Sequence, residues 1–385
     1  MAINIISNPN SVVSAFNQMA FNVSSTQAGQ TNFNFLADVY VSGITNAVSR
    51  IAIPKQPSVN TCLIDASPIL KNYVKNDFFN VNDSFNYCEA NINSRVKYYV
   101  QFGELYDVSG IPTIYDNLRR FPTSGSNTAV NSIFDFEDFN TNVWNGYDVS
   151  GFGFLTEIPE RITIEQGQEL RLSFYDPSNL IRYVYCDNVP EDSISANKVS
   201  GEFLYNVNVK NCLDYVGVNT IGTHTITLAK LVSGDVIAVK TITIEIVAAC
   251  SKFDTIRLHW LNNLGGWDSY NFTKQSLKSM DIDRKQFKKM QSINYSKSDR
   301  LKTNYNTTIT DKLQINSDWI SDEMADWFQG LLTSPIVYLE RGTDNFIAVN
   351  ITNSNYLIQN YLNARKLHNL QLEIEYSYNR YTQSQ

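Results

Sequence analysis

Apolar and polar residues alternate along Asn34 to Val41 (NFLADVYV), Arg95 to Phe102 (RVKYYVQF) and Gln371 to Tyr378 (QLEIEYSY). Short, aromatic, β-branched runs with a period of two predict strands with one buried face. Between about Gly151 and Ala249 the pattern becomes regular: ERITIEQGQELRLSFYD, IRYVYCDNV, GEFLYNVNVK, GTHTITLAKL and DVIAVKTITIEIV follow one another. Turn residues at Gln166-Gly167-Gln168 and Ser233-Gly234-Asp235 separate these runs, which predicts an immunoglobulin- or fibronectin-like sandwich ending at Ala248-Ala249-Cys250. One segment has a helical period instead. In ISDEMADWFQGLLTSP, Met324, Trp327, Phe328, Leu331 and Leu332 recur at spacings of three and four, Ser321 caps the start, Asp322 and Glu323 suit the positive end, and Pro335 stops the run. A helix over 322–332 is expected, plugging a β unit with its apolar face.

The pattern therefore predicts a mainly β chain of several sandwich-like domains with one short helix. A length of 385 residues exceeds one ordinary core. The expected division is an N-terminal β domain over 1–150, with an Asn- and Ser-rich connection near Ser124 to Ser132, the sandwich over 151–250, and a C-terminal β domain over 251–385.

Composition narrows the function classes. Hydrophobic residues make up 43% and charged residues 18%, so the chain is globular, with a surface made polar by Asn, Ser and Thr. A net charge of -7 excludes a protein that coats nucleic acid by charge alone. The start, MAINIISNPNSVVSAF, lacks a basic n-region and an apolar core, and no run approaches a membrane span, so no membrane insertion and a product made in the cytoplasm are expected. Cys62, Cys88, Cys186, Cys212 and Cys250 are scattered and odd in number, which reads as reduced and structural, with no metal site.

Signals of catalysis are sparse. His224 and His368 lie in strand-like runs without a carboxylate or cysteine at ligand spacing. His259 precedes Trp260, but no nucleophile turn, zinc motif or phosphate loop accompanies it. The carboxylates Asp135, Glu137 and Asp138, and the pair Asp281 and Asp283, read as solvated acidic turns rather than as a glycosidase pair. No catalytic residue, no cofactor and no enzymatic activity are expected. The sequons at Asn271 and Asn306 are what an Asn- and Thr-rich chain yields by chance.

One local anomaly stands out. Between Thr273 and Asn304, Lys274, Lys278, Arg284, Lys285, Lys288, Lys289, Lys297, Arg300 and Lys302 face only Asp281, Asp283 and Asp299. A surplus of six positive charges on an acidic chain reads as a solvated arm, as a contact with an acidic neighbour, or as a contact with DNA.

The order FNFLADVYVSG, RIAIPKQPSVNTCLIDASPILKNYV, VKYYVQFGELYD, IRLHWLNNLGGWDSYNF and DWISDEMADWFQGLLTSPIVYLERGTDNFIAVNIT resembles tail structural proteins of Bacteroidetes bacteriophages, over residues 30 to 120 and 254 to 380. The resemblance implies a ring, hub or adaptor subunit in a virion tail, assembled in the host cytoplasm, with other tail proteins, further copies of itself, or DNA in a tail channel as partners. In that setting Leu258 to Phe272 reads as a structural hairpin: Trp260 and Trp267 anchor its flanks in a core, and Gly265 and Gly266 turn the chain. The alternative expectation is a receptor- or carbohydrate-binding module at the tail periphery, built on Tyr and Trp platforms.

Overall fold

The computed structural model describes residues 3–78, 88–134, 153–158, 161–187, 194–195, 204–249, 252–342, 345–353 and 368–381. The protein is mainly β, its strands forming five sheets among the described residues. Neither the Asp135–Asp138 cluster, Cys250, nor the expected boundary at 150 falls within those residues.

The first unit is a sandwich. Strands β1 (Ile3–Ser7), β3 (Ala20–Ser25) and β6 (Thr61–Asp65) form one antiparallel sheet. The other runs β2 (Val12–Ser14), β10 (Asn127–Val130), β8 (Arg95–Val108), β4 (Asn34–Val41), β5 (Ser49–Pro54), with β9 (Ile111–Phe121) also paired to β8. The period of two sends Tyr98, Val100 and Phe102 of β8 and Phe35, Ala37 and Val39 of β4 into the same core as Phe21, Val23 and Ile64. Each such Val, Ile or Phe side chain stabilises the fold by about 1.5–3 kcal/mol. On β4 the other face is covered too: Asp38 is buried and accepts two 2.6 Å bonds from Arg50.

The second unit has the immunoglobulin-like plan. One sheet runs β11 (Ile162–Glu165), β17 (Asp235–Val247), β16 (Gly222–Val232), β13 (Tyr183–Cys186), β14 (Ile194–Ser195), with β11 parallel to β17. The facing sheet is β12 (Arg171–Tyr175), β15 (Leu204–Asn208) and β7 (Cys88–Asn91). Taking β12, β13, β15, β16 and β17 as strands B, C, E, F and G, the orders G-F-C and B-E follow. The strand beside E is β7, contributed by the first 150 residues: Cys88 pairs with Val207 and Asn91 with Leu204. Sheet membership therefore crosses the division by sequence.

A helix stands where the run GEFLYNVNVK was expected to stay extended. The strand stops at Asn208, whose side-chain oxygen accepts from Asn211 N at 3.1 Å, and the chain coils through Val209–Val216 to Gly217 at φ 74°. Val209, Cys212 and Leu213 turn into the sandwich core.

The third unit is one curled sheet in the order β19 (Trp267–Phe272), β18 (Ile256–Leu261), β22 (Val337–Glu340), β23 (Phe346–Ile351), β24 (His368–Tyr376), β21 (Lys302–Ile320), β20 (Leu277–Lys288), with β25 (Arg380–Tyr381) also on β21. Where one helix was expected the described residues hold three short ones, Ser67–Leu70, Val209–Val216 and Asp322–Thr333; the last is capped by Ser321, whose Oγ accepts from Met324 N at 3.3 Å. Its Trp327, Phe328 and Leu331 cover Leu258, Trp260, Phe272, Ile315 and Leu372. Among the described residues no helix is long and apolar enough to cross a membrane.

Candidate functional site

The hairpin between β18 and β19 is where the three units meet. Leu261 pairs with Trp267, and the turn closes through Asn262 N to Gly266 O at 2.9 Å and Gly265 N to Asn262 O at 3.1 Å. Its outer side touches the backbone of both other units. A Cβ on Gly265, which sits at φ +84°, would lie 2.2 Å from the Asn131 carbonyl oxygen, and one on Gly266 would lie 2.2 Å from that of Leu155. Only glycine allows this approach. Asn262 Nδ2 donates to Leu155 O at 2.8 Å, Ile133 N donates to Asn263 O at 2.9 Å, and Asn76 Nδ2 donates to Gly265 O. Leu264 enters a small core with Val130, Phe134, Leu155, Tyr175 and Leu204, which belong to the first and second units.

The flanking tryptophans serve different contacts. Trp260 is fully buried against Trp327 of the helix, ring centres 4.9 Å apart. Trp267 packs on Phe78 at 4.6 Å, so it ties the third unit to the first.

Alternation along β18 puts Leu258 and Trp260 under the helix and Arg257 and His259 on the opposite face, Arg257 against the second unit and His259 against Phe78 of the first. Arg257 is 1% exposed. Its Nε lies 3.2 Å from Glu340 Oε2; Nε and Nη2 donate to Glu169 O at 3.1 and 2.9 Å; Nη1 donates to Asn271 Oδ1 at 2.7 Å. Burial pulls its pKa down to about 10, so the guanidinium stays charged at neutral pH. His259, also 1% exposed, donates Nε2–H to Glu340 Oε2 at 2.8 Å. Burial, then the charges of Arg257 and Arg171, hold its pKa well below the usual value, so the ring is neutral. Phe78 covers the ring at 5.1 Å. A histidine sealed in this way has no route to a dissolved substrate, and its chemistry is that of a clamp.

His224 is the strand histidine expected, and although no carboxylate stands at ligand spacing in the sequence, one distant in sequence meets it. Its Nδ1 meets Asp187 Oδ2 at 2.7 Å and its Nε2 meets Thr220 O at 2.8 Å. Cys88, Cys186 and Cys212 lie buried in the second core, where burial pushes Cys186 up to about 12. Among the described residues no group of three His, Cys, Asp or Glu side chains is placed to hold a metal ion.

The basic segment is a β-ribbon. Lys274 precedes β20 and pairs with Asp318 at 2.9 Å; Lys278, Arg284, Lys285 and Lys288 lie on β20; Lys289, Lys297 and Arg300 lie in the connection; Lys302 opens β21. Every residue of β20 is exposed. On its other side β21 is supported by β24 from Lys312 onward and by β25 at Thr308 and Ile309. Among the described residues the ribbon is two-stranded beyond Thr308, and seven of the nine cations lie on that part, Lys274 and Lys278 standing at the root. Arg284, Lys285, Lys288, Lys289, Lys297 and Lys302 form no ion pair with a carboxylate of the described residues. At the tip Met290 is 100% exposed and Ile293 99%.

No family model matches the chain, and no curated protein matches it.

Proposed function

We propose that this chain is a non-enzymatic structural subunit of a phage tail, present in several copies as a ring, hub or adaptor. The observation that carries the reading is the basic ribbon, which leaves an acidic body and ends in the almost wholly exposed apolar side chains of Met290 and Ile293. A body of three units, tied by the β18–β19 hairpin and by the Arg257 network, is the rigid block such an assembly requires. The tail setting, in a virion put together in the host cytoplasm, rests on the motif order from FNFLADVYVSG to the helix segment. Closed rings use heterologous contacts in which one patch meets a different patch on the next copy, and a cationic arm on an acidic protein meets that need.

Mass photometry of the purified chain at low and high salt, followed by negative-stain imaging, tests the proposal. The expected result is a closed oligomer that loosens as salt rises, because exposed charge pairs are screened within about 8–10 Å at physiological salt. A monomer at every salt concentration would overturn it and give the carbohydrate- or receptor-binding reading precedence, to be examined by glycan array.

A further inference from the structure

We propose that the ribbon tip of one copy docks into the cleft between the second and third units of the next copy. This inference rests on the multi-copy reading above and adds the two surfaces that meet.

The tip cannot be a finished surface in an isolated molecule. Met290 and Ile293 are almost wholly in water, Tyr295 is 62% exposed, and Phe287 and Tyr305 lie half exposed behind them. Lys289 N donates to Leu301 O at 2.8 Å, and Ser296 N donates to Asp299 Oδ2 at 2.8 Å, so the connection is a closed, ordered loop that holds these groups outward. An apolar knob ringed by Lys288, Lys289, Lys297 and Lys302 calls for an apolar floor with an acidic rim.

Among the described residues the body offers such a place. A cleft of about 580 Å³ opens between β11, the end of β17 and the start of the Asp322–Thr333 helix. Ile158, Val247, Tyr270 and Met324 supply an apolar floor; the charged lining is Glu165, Asp318 and Glu323 against Arg161, acidic on balance, with Asp318 held by Lys274. A second groove, of about 480 Å³ beside Phe16 and Ile133, is lined by no charged side chain and offers nothing to the lysines. Charge complementarity therefore selects the first.

Geometry makes the contact intermolecular. Thr273, at the root of the ribbon, lines the cleft. Strand β20 then runs from Leu277 to Lys288, a rise of roughly 35 Å at about 3.3 Å per residue. The tip is thus carried away from its own cleft, and its exposure shows that it does not fold back. Tip and cleft are different patches on one chain, so their union is heterologous and propagates from copy to copy. Nucleic acid fits less well, since phosphates would engage the lysines and leave Met290 and Ile293 in water.

The test is a charge swap on the full chain. A tip variant, Lys288→Glu with Lys289→Glu and Lys297→Glu, and a cleft variant, Glu323→Lys, are each expected to weaken self-association at low salt, the tip variant at least about tenfold. Mixing the two restores it. Unchanged melting temperatures establish that both variants fold. As a second readout, Ile293→Cys mixed with a differently tagged Glu323→Cys forms a disulfide-linked pair that neither variant forms alone beyond the wild-type background. A wild-type oligomer indifferent to both charge variants and without the cross-link overturns the docking and leaves the multi-copy reading standing. A monomeric wild type overturns both. Salt-dependent binding of duplex DNA that the tip variant loses, with no self-association, assigns the ribbon to nucleic acid and also overturns the docking.

Discussion

Gly265 and Gly266 carry more of the structure than their size suggests. Gly265→Ala places a methyl group against the Asn131 carbonyl at a positive φ, and Gly266→Ala places one against Leu155. Neither obstacle is a flexible side-chain end, so each substitution is expected to destabilise by more than about 2 kcal/mol, read from urea denaturation. Arg257 makes a second residue-scale test: Arg257→Ala removes the guanidinium beside the buried Glu340 while leaving its bond from His259, and is expected to cost about 3–5 kcal/mol. The two buried histidines respond to pH with opposite signs. His259 has a depressed pKa, so its contribution is complete above the ordinary value of 6.5 and is lost as pH falls below it. For His224, burial lowers the pKa, but the bonds to Asp187 and Thr220 outweigh it and the net direction is upward. Its contribution is complete below 6.5 and is lost as pH rises through the folded value. Melting curves between pH 5 and 9 are expected to show His259→Gln removing part of the acid-side loss and His224→Gln removing part of the alkaline-side loss. A histidine substitution that shifts every curve equally would contradict the assignment.

At the scale of elements, the Asp322–Thr333 helix was legible because its signals agree: a serine cap, acids in the first turn, and an apolar stripe of period 3.6. Ser321→Ala is expected to cost about 1 kcal/mol, and Phe328→Ala about 3–5 kcal/mol, in the same denaturation assay. The Val209–Val216 helix was missed although Asn208 and Gly217 mark its ends and Val209, Cys212, Leu213 and Val216 share a face. Eight residues beside a strongly β-patterned run carry too little periodicity to outweigh it. For the ribbon, the sequence yielded its charge and position but not its reach, since nothing local says where β24 and β25 stop supporting β21. Replacing residues 285–304 by a two-residue turn is expected to leave the melting temperature within about 2 °C, because an isolated two-stranded hairpin adds little stability. The shortened protein is expected to be a monomer in mass photometry under conditions where the full chain is an oligomer.

For the whole molecule, the strands and the immunoglobulin-like plan could be read from alternation, while the joints between units could not. Arg257 and His259 stand at positions that a one-faced sheet would leave in water. Burial of both faces of β18 needs the second unit, and a single-sequence pattern does not reveal what will cover a strand. Likewise CEAN at Cys88 to Asn91 carries no mark of its partner, since pairing register is set by the surrounding fold. Because the Gly265 turn and the Arg257 network join all three cores, calorimetry is expected to show one dominant unfolding transition in the wild type, resolved into at least two by Gly266→Ala. The strand at Cys88–Asn91 has a further consequence, for how such a gene can change. A sandwich completed by an upstream strand is not an exchangeable cassette: recombination that swapped 151–250 for another immunoglobulin-like module would have to match the register of a strand encoded more than 60 codons earlier. Variation should instead accumulate on the ribbon, where length and charge can drift without disturbing any core, so that lineages would diverge in how copies join sooner than in what each copy is.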